Sequence, residues 1–239
     1  MEMINVIIDG HSYSVKKGAT ILEACKSVGI EIPTLCYLKE INEIGACRLC
    51  VVEVKGARSL VAACVYPIDR EGTEILTHSP AVQKSRKATL ELLLSQHDKK
   101  CLSCVKSGDC EFQKLCRDYG VEDEHKYDGE TPVYDIDTSM PHLIRDNNKC
   151  VLCRRCVSVC KDVQTVGVID AQERGFNTKI GCAFEMDLAD TFRITKAIIL
   201  DCKCRLGNHT QNHNAAQQYA HYLFECLIHS CILPTYSSY

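Results

Sequence analysis

The sequence lacks the motifs of several large enzyme classes. No G-x-G-x-x-G follows a predicted strand and no G-x-x-x-x-G-K-S/T occurs, so neither a dinucleotide site nor a nucleoside triphosphate site is predicted. H-E-x-x-H and G-x-S-x-G are also missing, and the histidines and carboxylates form no recognisable catalytic set. We therefore expect no catalytic residues, and hydride chemistry must occur elsewhere.

Features of membrane-spanning, secreted and nucleic-acid-binding proteins are missing too. No stretch approaches the ~18 uninterrupted apolar residues that a membrane helix requires. The first residues, MEMINVIIDG, lack a basic region before a long apolar run, so no signal peptide is predicted. The net charge of -3 does not favour nucleic acid, and the basic runs 84–87 (KSRK) and 99–100 (KK) are predicted to be solvated helix faces. We expect a cytoplasmic protein without direct membrane insertion.

Cysteine, by contrast, is abundant, with 18 cysteines among the 239 residues. A secreted disulfide scaffold is the ordinary explanation of such a composition, but the missing signal peptide argues against it. In a reducing compartment this many thiols predict metal binding. The length allows one or two ordinary domains or a string of small ones, and the cysteine content favours the string.

The first third of the sequence has the pattern of a compact α+β unit. Residues 4–15 (INVIIDGHSYSV) predict a hairpin that turns at its Asp-Gly pair. Residues 20–28 (TILEACKSV) predict a helix with Thr20 as N-cap, Glu23 as capping-box partner and Gly29 as the stop. We expect a small mixed sheet around this helix, with further strands at 51–55, 60–63 and 74–77.

Beyond this unit the sequence changes character. Residues 79–97 (SPAVQKSRKATLELLLSQH) predict a helix with Ser79 as N-cap and Pro80 in the first turn, which places His97 near its end. The acidic segment 121–141 has little apolar periodicity and is broken by glycine and proline, so it is interpreted as a connecting loop.

The first constellation has the spacing C-x10-C-x2-C-x13-C and consists of Cys36, Cys47, Cys50 and Cys64. Four thiolates from a long loop and a strand end suit a [2Fe-2S] cluster, because soft sulfur ligands stabilise iron–sulfur rhombs. The ten-residue gap departs from the four-residue gap of plant-type ferredoxins, and zinc is the alternative. Gly45 predicts a tight turn that directs N–H groups at the sulfurs, and Cys25 is predicted to be a buried core thiol.

The second constellation has the spacing H-x3-C-x2-C-x5-C and consists of His97, Cys101, Cys104 and Cys110. One imidazole and three thiolates can hold zinc or a [4Fe-4S] cluster, and the spacing leaves both open. The position between two iron-type constellations favours a cluster, because a zinc ion would interrupt an electron path. Neutral imidazole in place of an anionic thiolate should raise the reduction potential. Cys116, six residues on, is predicted to pack within a helix.

The third constellation has the C-x2-C-x2-C-x3-C spacing of a ferredoxin half-motif and consists of Cys150, Cys153, Cys156 and Cys160. This is the most specific of the three patterns and predicts a [4Fe-4S] cluster. In two-cluster ferredoxins the fourth cysteine of such a run binds the cluster of the other run. The role of Cys160 therefore depends on whether a second run exists.

In this order the constellations resemble the amino-terminal region shared by [FeFe]-hydrogenases, the large iron–sulfur (75 kDa) subunit of complex I and some NAD-dependent formate dehydrogenases. The stretch PTLCYLKEINEIGACRLC fits the complex I signature P-x2-C-Y-x7-G-x-C-R-x-C. Three stretches look similar in sequence to the NADP-reducing, multi-subunit [FeFe]-hydrogenases. They are GATILEACKSVGIEIPTLCYL, SRKATLELLLSQHDKKCLSC and NKCVLCRRCVSVC. The resemblance covers about residues 1–191.

The resemblance implies an α+β fold in which a small β-grasp ferredoxin-like domain precedes a short helical domain with one histidine and three cysteine ligands, and then a ferredoxin-like segment. It implies a [2Fe-2S] cluster at the first constellation, a [4Fe-4S] cluster at the second, and another on Cys150, Cys153 and Cys156. The expected domains are 1–78 ([2Fe-2S]), 79–120 (histidine- and cysteine-ligated [4Fe-4S]), 121–141 (linker), 142–191 (incomplete [4Fe-4S] segment) and 192–239 (divergent tail).

The sequence departs from this pattern after residue 191, where the relatives continue into a second ferredoxin run. The tail has no ferredoxin spacing, and His209 and His213 lie in a poor helix former, so we expect no metal site there. A frameshift or a rearranged gene end is our hypothesis for this change. We expect either that Cys160 or Cys182 completes the third site as the fourth ligand, or that the third cluster remains labile.

Taken together, the motifs predict an electron-transfer protein or subunit that relays single electrons. As partners, the resemblance implies a flavoprotein on the NAD(P)H side and a terminal oxidoreductase such as an [FeFe]-hydrogenase. The alternatives are a truncated subunit of NADH dehydrogenase or formate dehydrogenase, and a zinc-binding scaffold or redox sensor.

Overall fold

The computed structural model describes residues 2–123, 126–127, 129, 131–140 and 143–191, together with the strand at 232–233. The chain divides into two compact units. The first consists of Met1–Tyr37 and Glu43–Glu130, and the second of Leu38–Asn42 and Thr131–Tyr239. No helix in the described part of the chain is long and apolar enough to cross a membrane.

A five-stranded sheet forms the centre of the first unit, and its strands are β1 (Met3–Ile8), β2 (His11–Lys16), β3 (Val51–Val54), β4 (Val61–Ala62) and β5 (Glu74–Leu76). The strand order in the sheet is β2-β1-β5-β3-β4. The strands β1 and β2 make the predicted antiparallel hairpin, and Asp9 and Gly10 at its turn both have a positive φ. The sheet is mixed, as predicted, because β1 pairs with β5 in parallel.

The first helix, α1 (Ile21–Ser27), buries its apolar side in the core of the first unit. Its predicted capping box is confirmed. The Thr20 hydroxyl accepts from the Glu23 N–H, and the Glu23 carboxylate accepts from the Thr20 N–H, each at 3.2 Å. Cys25 is fully buried in the same core, as predicted.

The predicted second helix is α2 (Pro80–Ser95), and Ser79 caps it by accepting from the Val82 N–H at 3.4 Å. His97 follows two residues after its end, as expected. A short helical turn at Cys101–Ser103 leads to α3 (Glu111–Asp118), which contains Cys116.

The basic run 84–87 was predicted to be solvated, and for Arg86 this is wrong because the side chain is fully buried. Its Nη2 donates to the carbonyl oxygen of Val51 in β3 at 2.8 Å, and its Nη1 donates to the Tyr119 hydroxyl at 3.0 Å. The local charge pattern could not reveal that α2 packs against β3.

Two small sheets and a short helical segment form the second unit. The strands β6 (Asp137–Met140), β7 (Leu143–Arg145) and β10 (Ile232–Leu233) pair in the order β10-β7-β6. The strands β8 (Ile169–Gln172) and β9 (Lys179–Cys182) form an antiparallel pair. The helix α4 (Arg155–Ser158) continues into a wider, π-type turn at Val159–Val163.

The structure places β6 inside the segment 121–141 that was interpreted as a loop. Asp137 forms an ion pair with Arg145 of β7 at 2.9 Å, and its carboxylate accepts from the Leu188 N–H at 2.9 Å. The Leu188 partner is 51 residues away in the sequence, so the local acidic composition carried no sign of this pairing. Burial raises the pKa of Asp137, but hydrogen bonds from Ser139 and Leu188 and the charge of Arg145 outweigh it and hold this pKa below its ordinary value.

Candidate metal centres

The first constellation gathers on loops of the first unit. Cys36 follows α1, Cys47 and Cys50 precede β3, and Cys64 follows β4. Cys36, Cys50 and Cys64 are each 1% exposed, and Cys47 is partly buried. Cys64 interacts electrostatically with Cys36 and Cys47 as well as with Cys50, so the structure brings the four predicted ligands together.

The four thiols of this constellation form two pairs. The Cys50 Sγ lies 3.3 Å from the Cys64 Sγ. Cys36 and Cys47 are hydrogen-bonded through their side chains, and the Cys47 N–H also donates to the Cys36 Sγ at 3.5 Å. In a [2Fe-2S] cluster each of the two irons takes two protein ligands, so two thiol pairs match this cluster type.

One thiol of each pair is poised to ionise. The hydrogen bond from Cys36 lowers the pKa of Cys47 to about 5, against the opposing effect of burial. The hydrogen bond from Cys64 lowers the pKa of Cys50 to about 7. Donating these bonds, together with burial, raises the pKa of Cys36 and of Cys64. The thiolate is the form that binds metal, so the site favours the ligating state at two of its positions.

Backbone geometry also suits sulfur ligands. Gly45 has a φ of 62°, and a Cβ there would lie 3.3 Å from a Val65 methyl carbon, so the turn needs glycine. The two N–H groups that follow, of Ala46 and Cys47, donate to the Cys36 sulfur, as predicted. Arg48, between Cys47 and Cys50, also has a positive φ, of 57°.

The alternative at the first constellation is a zinc site. Within the described ranges, no three or more histidine, cysteine, aspartate or glutamate side chains are grouped as they would be around one metal ion. Structural zinc needs four ligands in a tetrahedron about one centre. The paired thiols of the first constellation fit two irons better than one zinc.

The second constellation lies between α2 and α3 along the chain, and all three of its cysteines are partly buried. Cys101 begins the short turn at Cys101–Ser103, and Cys110 is the N-cap of α3, where its Sγ accepts from the Gln113 N–H at 3.4 Å. Hydrogen bonds to a cysteine sulfur are the type of outer contact that tunes metal-bound thiolates.

One hydrogen bond orients the ring of His97. Its Nδ1 lies 2.9 Å from the carbonyl oxygen of Asp98, and its ring packs at 5.4 Å from that of Phe112. A carbonyl oxygen only accepts, so the proton must be on Nδ1, and in the neutral ring the lone pair is then on Nε2. This is the tautomer expected of a histidine that binds a cluster through Nε2.

Cys116 lies in α3, and burial raises its pKa to about 11, with smaller contributions from Cys110 and Cys101. It is therefore close enough to the second constellation to feel the charges of two of its thiols. This thiol is held in its neutral form, which agrees with the predicted packing role and not with that of a ligand.

The third constellation occupies a loop and α4 of the second unit. Cys153, Cys156 and Cys160 are buried, whereas Cys150 is partly buried. Leu152 and Arg154, on either side of Cys153, have φ values of 53° and 59°. Such left-handed conformations are unfavourable for residues with side chains and persist only where the surroundings impose them. One result is that the Leu152 N–H donates to the Cys150 Sγ at 3.3 Å.

Both sequence candidates for the fourth ligand of this site are buried. Cys160 and Cys182 belong to the same hydrophobic cluster as Cys156. The Cys182 Sγ accepts from Nη1 of Arg145 at 3.3 Å, so it has a cationic partner on one side. The predictions for the tail, including His209 and His213, lie outside the described residues.

Sequence reasoning missed two residues of this region. Arg145 contacts Cys182, and Asn42 donates from Nδ2 to the carbonyl oxygen of Cys153 at 3.0 Å. Asn42 lies 111 residues before its partner, inside the ten-residue gap of the first constellation. The unusual length of that gap was the one available signal.

Comparison with known proteins identifies two domains. Residues 1–80 match the 2Fe-2S iron-sulfur cluster binding domain family, and residues 86–125 match the NADH-ubiquinone oxidoreductase-G iron-sulfur binding region. The chain therefore carries a [2Fe-2S] cluster-binding domain and, after it, a [4Fe-4S] cluster-binding region. The matched ranges contain the first and the second constellation.

Longer relatives share most of this chain. It is 45% identical over 196 residues to the NADP-reducing hydrogenase subunit HndD of Solidesulfovibrio fructosivorans. The aligned region covers 80% of this chain and 33% of that protein. It is 38% identical over 178 residues to the NADH-ubiquinone oxidoreductase 75 kDa subunit of Reclinomonas americana. The aligned region covers 74% of this chain and 26% of that protein. The chain thus spans a third or less of the length of these relatives.

A solved structure is similar over a larger share of its own length. The chain matches a chain of the NAD+-reducing [NiFe]-hydrogenase in the H2-reduced state, with a TM-score of 0.69 and 32% identity. The match covers 75% of each of the two chains. The protein thus has the mixed α+β fold of small iron–sulfur domains, and it belongs to the family of iron–sulfur electron-transfer proteins whose common region occurs in NADP-reducing hydrogenases and in the 75 kDa subunit of NADH-ubiquinone oxidoreductase.

Proposed function

We propose that the chain relays single electrons through three iron–sulfur clusters, between a flavoprotein that oxidises NAD(P)H and a terminal oxidoreductase. The observation that carries the proposal is the pairing of the four thiols of the first constellation, Cys36 with Cys47 and Cys50 with Cys64. Two thiol pairs in a buried site supply both irons of a [2Fe-2S] cluster. The order of strands around this site supports a β-grasp, ferredoxin-like domain.

The second cluster is a [4Fe-4S] cluster bound by His97, Cys101, Cys104 and Cys110. The Nδ1 proton of His97 points at a backbone carbonyl, which supports ligation through Nε2. The role of this ligand is to make the cluster less negative than an all-cysteine cluster, so that it accepts an electron more readily.

The third cluster is a [4Fe-4S] cluster bound by Cys150, Cys153 and Cys156, with Cys160 as the fourth ligand and Cys182 as the alternative. The imposed left-handed backbone beside Cys153 supports this assignment, because strain of this kind is retained at functional sites. When bound, the clusters supply one-electron redox chemistry; the residues of the chain fix their positions, exclude water and set their potentials through charge and hydrogen bonds.

The partners follow from the relatives. HndD is named as a subunit of an NADP-reducing hydrogenase, and another relative is the 75 kDa subunit of NADH-ubiquinone oxidoreductase. We infer that this chain works beside other oxidoreductase subunits in the cytoplasm. Hydrogen activation or another terminal reaction, and the oxidation of NAD(P)H, then take place on those partners.

Anaerobic reconstitution of the purified chain tests the cluster content. Three clusters give about ten iron atoms per chain, together with separate [2Fe-2S] and [4Fe-4S] signals in electron paramagnetic resonance. About six iron atoms would remove the third cluster from the proposal. About fourteen would mean that the chain builds a further cluster outside the proposed sites.

A redox titration of His97→Cys tests the second cluster directly. The added thiolate should lower the midpoint potential of one [4Fe-4S] signal by roughly 100 mV and leave the others unchanged. His11→Ala, on an exposed histidine of β2, is the control. An unchanged potential in His97→Cys would contradict histidine ligation.

The proposed relay predicts which electron donors reduce the isolated chain. Dithionite should reduce the reconstituted chain and an artificial acceptor should reoxidise it, whereas NAD(P)H alone should not reduce it. Oxidation of NADH without an added flavoprotein would show that the chain holds a nucleotide site and would contradict this prediction.

A further inference from the structure

A short segment in the middle of the first constellation belongs to the second unit. Tyr37 and Glu43 belong to the first unit, whereas Leu38–Asn42 between them belongs to the second. The segment closes on itself, because the Leu38 N–H donates to the Asn42 carbonyl at 3.1 Å and the Asn42 N–H donates to the Leu38 carbonyl at 2.7 Å. The long gap between Cys36 and Cys47 provides the residues for this turn.

The turn delivers one buried amide to the third constellation. The Asn42 side chain is fully buried. Its Nδ2 donates to the carbonyl oxygen of Cys153 at 3.0 Å, and its Oδ1 accepts from the Ser158 hydroxyl at 2.7 Å. Because a carbonyl oxygen can only accept, the amide has to point its nitrogen at Cys153, and the orientation of Asn42 is fixed.

These two contacts reach both halves of the third constellation. Cys153 stands in the loop between two left-handed residues, Leu152 and Arg154. Ser158 ends α4, the helix that carries Cys156 and leads to Cys160. A backbone in left-handed conformations needs outside restraint, and the hydrogen bond to the Cys153 carbonyl supplies it at the ligand itself. The same amide ties that loop to α4.

We propose that Asn42 is a positioning residue for the third [4Fe-4S] cluster, and that it sets the distance between Cys153 and the helix that bears Cys156. This inference rests on the proposed third cluster. Removing the amide leaves the Cys153 carbonyl and the Ser158 hydroxyl without this buried partner, and the cysteine loop is then free to relax away from the geometry that binds iron.

The test uses the full chain, reconstituted anaerobically, with Asn42→Ala and Asn42→Asp. The alanine variant removes both contacts. The aspartate variant keeps the shape and the acceptor for Ser158, but places a carboxylate oxygen against the Cys153 carbonyl. Both should release the iron of one [4Fe-4S] cluster to a chelator about tenfold faster than the unchanged chain, and should shift the midpoint potential of that cluster.

Two further variants sharpen the comparison. Ser158→Ala breaks only the hydroxyl contact and should give a smaller change in the same direction. Asn5→Ala is the control for the loss of an asparagine amide outside the second unit, because Asn5 is exposed in β1 of the first unit and its amide donates to Glu71. The [2Fe-2S] signal should remain in every variant, which shows that the first unit has folded.

The outcomes separate this inference from the proposed function. The first outcome is about ten iron atoms in the unchanged chain, together with an Asn42→Ala variant that has the same rate of iron release and the same midpoint potentials as the unchanged chain. This outcome would overturn the positioning role and leave the assignment of the third cluster intact. About six iron atoms in the unchanged chain would overturn the third cluster, and the positioning role with it. Loss of all three signals in Asn42→Ala and Asn42→Asp would show a general folding role and would also overturn the proposal.

Discussion

The first and third constellations have the same kind of ligand but are held in place differently. Cys50 directly precedes β3 and Cys64 follows β4, so the hydrogen-bond ladder of the sheet fixes their backbone. Cys153 stands in a loop before a four-residue helix, and single side-chain amides such as Asn42 and Asn147 hold this region. A sheet spreads the restraint over many bonds, whereas the loop around Cys153 also depends on side-chain amides, each of which one substitution can remove.

The largest expected effect is the loss of one cluster. Cys50→Ala should abolish the [2Fe-2S] signal and leave both [4Fe-4S] signals, because each constellation lies in its own segment of the chain. Iron content should fall by about two atoms. Cys25→Ala, which removes a buried thiol outside the constellations, should keep every signal. Loss of all signals in Cys50→Ala would break the comparison, since it would make the second unit dependent on the first cluster.

The next largest effect concerns the buried guanidinium of the first unit. Arg86→Met keeps much of the side-chain volume but removes the bonds to the Val51 carbonyl and the Tyr119 hydroxyl. We expect the free energy of unfolding to fall by about 2–4 kcal/mol, since hydrogen bonds from a charged donor are lost and a buried carbonyl loses its partner. Denaturant unfolding followed by circular dichroism measures it. Lys84→Met, in the same helix but exposed, should change little.

A smaller effect is expected from the second unit. The Asn147 amide donates to the Ile180 carbonyl at 3.1 Å and accepts from the Ile180 N–H at 3.2 Å, so it joins the Cys150 loop to β9. Asn147→Ala should lower the free energy of unfolding by about 1–2 kcal/mol. Asn177→Ala, on an exposed residue of the same unit, is the control. A loss as small as that of the control would mean that the second unit is not held by single amides.

The smallest effect should come from the cap of α1. Thr20→Ala removes the hydroxyl that accepts from the Glu23 N–H and should cost about 1 kcal/mol of the free energy of unfolding. Ser79→Ala at the cap of α2 should cost a similar amount, and the same unfolding measurement serves both. A cost in Thr20→Ala above that of Arg86→Met would reverse the ranking of the restraints in the first unit.

The sequence predicted well what local spacing controls. The hairpin, the capping box of Thr20 and Glu23, and the start of α2 at Pro80 depend on residues a few positions apart, and all three were confirmed. The members of the first constellation were also predicted from spacing, although only Cys47 and Cys50 are separated by a short gap.

The features that the sequence did not predict depend on distant partners. The sequence predicted Arg86 to be a solvated charge, but α2 packs against β3 and the Arg86 side chain is buried there. Asp137 belonged to an acidic stretch, and its pairing with Arg145 and Leu188 turns that stretch into a strand. Asn42 had no pattern of its own, since its partner lies 111 residues later. Contacts of this range are set by packing, which single-sequence periodicity does not encode.

Cys25 gives the first unit a natural kinetic probe of its own opening. The thiol is fully buried, and burial raises its pKa to about 11, so a thiol reagent in neutral solution can reach it only after the core has opened. With iron occupying the other thiols of this unit's core, the rate of alkylation at Cys25 becomes the opening equilibrium constant multiplied by the reactivity of an ordinary thiol. Mass spectrometry of that single site would follow how often the unit opens while the protein remains native, with no label introduced.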